Sequence, residues 1–251
     1  MSSFETIIYE KRDGIAYVTL NRPEVLNRYN IQMRDELYQV LTAIRDDSDV
    51  LVAIFKGAGE RAFCVGADLT EFGTAPSPII ARQVRWERDI WGLFSSLKQP
   101  LIAAVHGYVL GSGVEIALFC DIRIASEEAV FGLPEVSLGM IPAAGGTQTL
   151  PRVIGKGRAL QILLTGDRID AQEAFRIGLV NMVVSRGELY LTADRMAQKI
   201  LSRSPIAVRY AKEATMRGLD LTLEEGLALE RRLAKILKDL ARKEVPALCN
   251  R

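Results

Sequence analysis

Histidine and cysteine are scarce in this sequence, which holds one histidine, His106, and three cysteines, Cys64, Cys120 and Cys249. A single histidine excludes every site that needs two and most histidine-based metal centres. The scattered, odd-numbered cysteines match neither a disulfide framework nor a zinc spacing, so we expect a reducing compartment and a cytoplasmic location. Any catalysis should then depend on carboxylates, backbone dipoles or a bound cofactor.

An excess of charge of one sign is also missing. Lys and Arg number 32, Asp and Glu number 31, and the net charge is +1. Because phosphate affinity requires clustered cations, a nucleic-acid partner is not expected. No run approaches the roughly 20 apolar residues that span a membrane, and the first residues lack the pattern of a signal peptide. The length of 251 residues and the 49% hydrophobic content suit one large globular domain, or a core with a small appendage.

Strand and helix patterns alternate along the first three quarters of the chain. Thr6–Tyr9 and Ile15–Leu20 predict a hairpin, and apolar spacing predicts a helix over about 30–46 with Asn30 as N-cap. Val50–Phe55 and Leu101–Val105 predict buried strands. Between them, one helical face is predicted from four apolar positions: Trp86, Ile90, Phe94 and Leu97. Because strands come in pairs before each helix, the pattern indicates an irregular α/β fold.

Helix signals dominate after a predicted strand at Leu179–Val184. Ser185 with Glu188, and Thr222 with Glu225, have the form of capping boxes, and Pro205 suits a first helical position. A long apolar stripe then recurs at helical spacing: Leu223, Leu227, Leu233, Leu237 and Leu240. From the residues alone, this stripe either packs on the chain's own core or forms a subunit interface.

Two motifs suggest chemistry that the surrounding residues do not support. Gly57–Ala62 fits a dinucleotide-binding pattern, but no acidic residue follows about 20 positions later, so a simple turn is favoured. Ser112, flanked by glycines, invites a serine-hydrolase interpretation, although it lacks the glycine positions of a nucleophile elbow. His106 is predicted to be a satisfied residue at a strand end rather than a base.

Two carboxylates stand in apolar surroundings. Glu115 lies in the first turn of an apolar helix that follows the Gly-rich turn Gly107–Gly113, and Glu135 lies within Phe131–Val136. Apolar surroundings raise a carboxyl pKa toward values suited to proton transfer. A second Gly-rich turn, Cys64–Leu69, could join the first in an oxyanion hole, or both could be tight turns. Sequence spacing alone does not bring the carboxylates together.

A series of motifs across nearly the whole chain resembles the enoyl-CoA hydratase/isomerase (crotonase) family. Each is weak alone, but their order and spacing are specific. The motifs are Asn21-Arg22-Pro23-Glu24-x-Leu26-Asn27, Ala62-Phe63-Cys64-x-Gly66-Ala67-Asp68-Leu69, Ala104-Val105-His106-Gly107, Cys120-Asp121-Ile122-Arg123-Ile124-Ala125, Phe131-Gly132-x-Pro134-Glu135, Gly139-x-Ile141-Pro142, Gly145-Gly146-Thr147-Gln148, Leu164-Thr165-Gly166-Asp167 and Ala174-x-x-x-Gly178-Leu179-Val180.

The resemblance implies a crotonase-like fold: a right-handed spiral of ββα turns followed by a C-terminal helical trimerisation region. The core is then predicted at residues 1–186 and the helical oligomerisation region at 187–251. Members of the family form trimers that usually pair into hexamers. The resemblance therefore moves the expectation for the leucine stripe toward a subunit interface.

The resemblance also implies a site for an acyl-CoA thioester. The backbone N–H groups of Ala67 and Ser112 would hold the thioester oxygen, and Glu115 and Glu135 would be catalytic. The residues expected along the substrate are Glu24, Val25, Leu26, Arg28, Val65, Gly66, Ala67, Asp68 and Leu69, with Ala143 near the catalytic water. The acyl group is expected against Leu69–Leu97, which includes Trp86 and Trp91.

Hydratases of this family use both glutamates, whereas simple isomerases typically keep only the second. The implied activity is thus hydration of a 2-enoyl-CoA to a 3-hydroxyacyl-CoA, as in fatty-acid β-oxidation, with no metal or redox cofactor. The alternatives are an acyl-CoA isomerase or lyase, or a non-catalytic acyl-CoA- or RNA-binding homologue. The chain departs from the family's usual residues at three places. Ser112 and Ala143 stand where glycine is common, and Arg28-Tyr29 replaces a small residue and leucine. These departures leave the acyl group open.

Overall fold

The computed structural model describes residues 4–248, and it describes side chains there except at 78, 81 and 241–248. Cys249 lies outside the described residues. The strands of this part are β1 Ile7–Arg12, β2 Ile15–Leu20, β3 Val52–Gly57, β4 Ala62–Cys64, β5 Leu101–Val105, β6 Tyr108–Leu110, β7 Ile122–Ser126, β8 Val130–Gly132, β9 Arg168–Asp170 and β10 Met182–Val184. The helices are α1 Ile31–Asp46, α2 Pro78–Glu87, α3 Ile90–Ser96, α4 Ser112–Phe119, α5 Gly146–Ile154, α6 Lys156–Thr165, α7 Ala171–Arg176, α8 Leu189–Leu201, α9 Pro205–Gly218 and α10 Leu223–Leu248.

The strands form two sheets, and the chain passes repeatedly from one sheet to the other. One sheet has the order β1-β2-β3-β5-β7-β10, and the second has the order β4-β6-β8-β9. Neighbours are parallel except β1 with β2 and β8 with β9. The pairs β3 and β4, β5 and β6, and β7 and β8 therefore each place one strand in each sheet. This arrangement confirms the predicted α/β fold of paired strands and helices.

The first hairpin and α1 match their sequence signals. Asp13 and Gly14 both have positive φ, as a two-residue hairpin turn requires. The Asn30 side chain accepts a hydrogen bond from the Met33 N–H and caps α1. One face of α1 is completely buried against the core: Met33, Leu37, Val40, Leu41 and Ile44. The predicted strand at Val50–Phe55 begins two residues later, at Val52.

The predicted helical face from Trp86 to Leu97 is wrong at its first residue. The chain forms two helices, α2 and α3, which are interrupted between Glu87 and Ile90. Asp89 starts the second helix, because its side chain accepts a hydrogen bond from the Gly92 N–H. Ile90, Phe94 and Leu97 are buried as expected, whereas Trp86 lies on the other helix and is 70% exposed.

The two predicted capping boxes have different outcomes. At the start of α10, the Thr222 N–H donates to Glu225 Oε2 at 2.9 Å and the Glu225 N–H donates to Thr222 Oγ1 at 3.3 Å, which confirms the box. Ser185 precedes a single 3₁₀ turn and its side chain makes no cap hydrogen bond, so that prediction is wrong. The strand predicted from Leu179 is limited to β10.

Backbone contacts divide the chain into two compact units between Gln198 and Lys199. The first contains both sheets, and the second contains α9 and α10, which pack on each other. Pro205 is the first residue of α9, as predicted. Along α10, Leu233 is buried, but Leu223 is 80% exposed and Leu227 is 41% exposed. The stripe is therefore only partly covered within the chain.

Candidate active site

Glu115 is buried in the first turn of α4. This short helix is apolar on every side, and residues 112–118 are all buried. Gly111, with φ of 52°, turns the chain from β6 directly into the helix. The Glu115 side chain is consequently held in the interior and is only 2% exposed.

The loop before α5 fixes one oxygen of this carboxylate. Oε1 of Glu115 accepts hydrogen bonds from the N–H groups of Ala144 and Gly146, both at 2.9 Å. A Cβ at Gly146 would lie 2.8 Å from Pro142 Cβ and 3.0 Å from the same oxygen, so glycine at this position permits the close approach. The two bonds set the orientation of the carboxylate and leave Oε2 for other partners.

Burial, with a smaller contribution from the nearby charge of Glu135, raises the pKa of Glu115 to about 7 against the opposing effect of the two backbone N–H groups. A buried carboxyl with a pKa near neutrality exchanges a proton readily under physiological conditions.

Glu135 lies on a 3₁₀ turn, Pro134–Leu138, that follows β8. A Cβ at Gly111 would be 2.9 Å from Glu135 Oε1, which places the carboxylate beside the start of α4. Among the described residues, its other oxygen, Oε2, is buried and has no hydrogen-bond partner. Burial also raises the pKa of Glu135. A buried carboxyl oxygen without a partner favours the protonated form and can deliver its proton.

The backbone around Ala67 directs its N–H group away from the neighbouring segment. Tyr29 forms a parallel bridge to Ala67: the Tyr29 N–H donates to Gly66 O at 2.9 Å, and the Asp68 N–H donates to Tyr29 O at 2.8 Å. Because these bonds use the groups on either side of Ala67, its own N–H points to the opposite side.

Ser112 begins α4, where backbone N–H groups have no acceptor within the helix. A Cβ at Gly66 would be 3.7 Å from the Ser112 nitrogen, and a Cβ at Gly113 would clash with the Cys64 carbonyl. The two Gly-rich turns thus lie against each other. Both predicted donors, the N–H groups of Ala67 and Ser112, lie on adjoining turns beside Glu135.

The predicted substrate strip lies along one continuous edge. Glu24 and Val25 belong to a 3₁₀ turn, and Leu26 follows it with positive φ. The Val65 N–H donates to Leu26 O at 3.3 Å, which joins the strip of residues 24–28 to residues 65–69. Glu24, Arg28 and Leu69 are exposed. Ala143 is also exposed, next to the Ala144 N–H that holds Glu115.

An ion pair that sequence reasoning missed supports this edge. Arg22 Nη1 lies 3.1 Å from Asp68 Oδ2 and donates to the Arg28 carbonyl at 2.8 Å. The Asn27 amide donates to the carbonyls of Ala58 and Ala62, both at 2.9 Å. The Asn-Arg-Pro and Leu-Asn motifs were visible in the sequence, but their partners are distant along the chain.

His106 is a structural residue, as predicted. It is fully buried, and its Nε2 lies 3.0 Å from the Gly59 carbonyl. Its Nδ1 lies 3.5 Å from the Tyr190 hydroxyl. Burial lowers the pKa of His106 to about 4, so the ring is neutral. These contacts leave no role for His106 as a base for Ser112. The Gly57–Ala62 motif joins β3 to β4, which confirms it as a turn.

Among residues 4–248, no three His, Cys, Asp or Glu side chains lie close enough together to hold a metal ion. None of the helices in the same stretch has the length and apolar character needed to cross a membrane.

Comparisons with known proteins agree with the architecture. The enoyl-CoA hydratase/isomerase family profile matches residues 10–245. A short-chain-enoyl-CoA hydratase of Clostridium acetobutylicum is 44% identical over 89% of this chain and 86% of its own length. A crotonyl-CoA hydratase of Syntrophomonas wolfei is 41% identical over 91% of this chain and 88% of its own. The crystal structure of an enoyl-CoA hydratase from Bacillus anthracis superposes with a TM-score of 0.87 at 42% identity, covering 92% of this chain and 90% of that one. This protein belongs to the enoyl-CoA hydratase/isomerase family, and its spiral of paired strands is the crotonase fold.

Proposed function

We propose that this protein is an enoyl-CoA hydratase, which adds water to a 2-enoyl-CoA thioester and forms a 3-hydroxyacyl-CoA. The observation that carries the proposal is the pair of buried glutamates, Glu115 and Glu135, whose charges interact and whose pKa values are both raised. Relatives named as hydratases at 41–44% identity support the same activity. The retention of Glu115 favours hydration over simple isomerisation.

The thioester oxygen would accept hydrogen bonds from the N–H groups of Ala67 and Ser112. Support for this assignment comes from the direction of the Ala67 N–H and from the position of Ser112 at a helix start. Donors aimed at the developing negative charge stabilise the thioester enolate. The CoA moiety would follow the edge formed by residues 24–28 and 65–69, where exposed Arg28 could contact a phosphate.

The two carboxyls would divide the proton transfers. Ionised Glu115, oriented by two N–H groups, takes a proton from water while the water oxygen bonds to Cβ. The electron pair of the double bond moves to the enolate oxygen, and Glu135 delivers a proton to Cα. Glu135 is therefore protonated before the reaction and Glu115 is protonated after it. The two carboxyls titrate as a coupled pair.

This scheme needs neither metal nor redox cofactor, because adding water changes no overall oxidation state, and CoA is part of the substrate. We further propose a cytoplasmic enzyme of fatty-acid β-oxidation that assembles as a trimer or a hexamer of two trimers. The exposed Leu223 and Leu227 support an interface along α10. Deleting residues from Thr222 onward should produce smaller oligomers in sedimentation. An unchanged assembly would remove α10 from the interface.

A direct assay tests the activity. Purified protein mixed with crotonyl-CoA should remove the absorbance of the conjugated thioester, and mass spectrometry should find a product heavier by one water. A 3-enoyl-CoA offered in parallel tests isomerisation. Conversion of the 3-enoyl thioester without hydration of crotonyl-CoA would show that the protein is an isomerase and not a hydratase. Binding without turnover would indicate a non-catalytic homologue.

A further inference from the structure

Tyr29 occupies a position next to the proposed thioester donor. Its backbone is joined to both sides of Ala67 by hydrogen bonds of 2.9 and 2.8 Å, so the two residues are neighbours in a parallel bridge. Paired residues of parallel strands direct their side chains to the same face. The half-buried Tyr29 ring therefore lies on the same face as the Ala67 side chain.

Three further aromatic rings continue from Tyr29. The Trp91 ring on α3 is 6.0 Å from the Tyr29 ring and 5.5 Å from the Phe119 ring. Phe94 is fully buried behind them, 5.8 Å from Phe119. Trp91 and Phe119 are half-buried like Tyr29, so each keeps an accessible part. We call Tyr29, Trp91 and Phe119 the aromatic wall.

The far end of the aromatic wall reaches the catalytic carboxylate. Phe119 is four residues after Glu115 on α4, and residues at that spacing share one helix face. A Cβ at Gly145 would be 2.8 Å from Phe119 Cζ, and the next residue, Gly146, donates to Glu115. The wall thus extends from the residue that would hold the thioester oxygen to the loop that holds the carboxylate.

Three of the rings are mutually aligned, and the Tyr29 ring is tilted by 41° to Trp91 at their end. The planes of Trp91, Phe94 and Phe119 lie within 20–27° of one another, which leaves a layered edge. A flat conjugated group can continue such a layer by offset stacking, whereas a flexible saturated chain gains only area burial and loses rotamer freedom. Because Tyr29 is joined through its backbone to both sides of Ala67, its Cα keeps a fixed position beside the proposed donor.

Burial raises the pKa of Tyr29, and the charge of Glu115 adds to the effect. The Tyr29 phenol is therefore neutral.

We propose that Tyr29, with Trp91 and Phe119, selects the acyl group of the substrate, and that the aromatic wall favours a flat aryl substituent on Cβ over a long flexible alkyl chain. This inference rests on the proposed function. It goes beyond that function because it names the substrate class and assigns the selection to a residue that departs from the family's usual leucine.

The test compares two thioesters in the dehydration direction, where formation of the conjugated product is followed by absorbance: 3-hydroxy-3-phenylpropionyl-CoA and 3-hydroxydecanoyl-CoA. The measured quantity is the ratio of their kcat/KM values. Tyr29→Leu should lower the aryl-to-alkyl ratio about tenfold, the scale of a pocket change by a few apolar groups. Tyr29→Phe keeps the ring and should keep the ratio within about twofold of the wild type.

Tyr38→Leu is the matched control. Tyr38 is another half-buried tyrosine, but it belongs to α1 and its ring lies beneath the Arg88 guanidinium. It should leave the ratio unchanged. An equal fall in Tyr38→Leu, an unchanged ratio in Tyr29→Leu, or an equal fall in Tyr29→Phe would each overturn selection by the Tyr29 ring. Wild-type protein that dehydrates neither these thioesters nor 3-hydroxybutyryl-CoA would instead overturn the hydratase proposal itself.

Discussion

Glu115 and Glu135 are held by very different pieces of backbone. Glu115 stands on a regular helix that is buried on every side, and two N–H groups clamp one of its oxygens. Glu135 stands on a short 3₁₀ turn, and one of its buried oxygens has no partner among the described residues. The first environment fixes a direction, whereas the second leaves a carboxyl oxygen ready to bond to something that enters. This asymmetry suits a positioned base and a proton donor.

Replacing either glutamate should have the largest effect. Glu115→Gln and Glu135→Gln should each lower hydration of crotonyl-CoA by roughly 10²–10⁴-fold, the contribution of a general acid or base. The glutamine in Glu115→Gln can still accept both backbone bonds, so the fold should persist. The double variant should lose far less than the product of the two single losses, because the pair acts as a unit. Steady-state kinetics on folded variants measures these losses. Near-full turnover by Glu115→Gln would contradict the hydratase mechanism and favour an isomerase that uses one carboxyl.

Removing the backbone N–H group of Ala67 should have the next largest effect on turnover. Ala67→Pro deletes the N–H and should lower turnover by roughly 10²–10³-fold, the scale of one missing oxyanion donor. Ala67→Ser keeps the N–H and serves as the control. Binding of a saturated acyl-CoA, measured by calorimetry, should weaken less than turnover falls. Equal losses in the two quantities would mean that the thioester oxygen is held elsewhere.

The pH dependence of stability separates the environment of Glu115 from that of an exposed carboxyl. Its folded-state pKa of about 7 lies above the unfolded value near 4.3, so the folded protein binds the extra proton. This contribution is fully present below about pH 4 and is lost as the pH rises through about 7. At pH 8 the free energy of unfolding of Glu115→Gln, measured in urea, should therefore exceed that of wild type by up to about 4 kcal/mol, and the gain should shrink toward pH 5. A gain that is the same at both pH values would contradict the raised pKa.

Chelation should have the smallest effect, which is none. Prolonged treatment with a strong chelator should leave crotonyl-CoA hydration unchanged, because the proposed chemistry uses only carboxyls and backbone donors. A metal ion that bridged the two carboxylates would prevent Glu115 from acting as the base and Glu135 as the proton donor. Turnover that disappears on chelation and returns with a divalent ion would therefore replace the two-carboxyl scheme.

Local signals predicted much of the fold. Turn residues at Asp13-Gly14, the Asn30 cap and the Thr222 box all act within a few residues, so their consequences can be read from the chain. The errors fall where a local pattern was ambiguous. Helical spacing continues from Trp86 to Ile90 in the sequence, but Asp89 caps a new helix between them. Trp86 is therefore exposed and does not belong to the predicted buried face.

The candidate site was predictable as a set of residues but not as a geometry. Burial of Glu115 follows from its apolar helix, so a raised pKa could be expected. The N–H groups of Ala144 and Gly146, which orient this carboxylate from 29 and 31 residues away, carried no signal of their own. Tyr29 was noticed only as a departure from the family's usual residue, because its pairing with Ala67 joins segments far apart in sequence.

The sequence by itself determined the first hairpin, the caps of α1 and α10, the apolar settings of Glu115 and Glu135, and membership of a family through the order of its motifs. These depend on neighbours a few residues apart and on composition. Only the tertiary structure decided that the two Gly-rich turns adjoin, that both carboxyls interact there, and that Tyr29 begins an aromatic wall ending at Phe119. The reason is that the strands from β3 to β8 alternate between two sheets, so residues at the same level of neighbouring turns of the spiral meet although dozens of residues separate them along the chain.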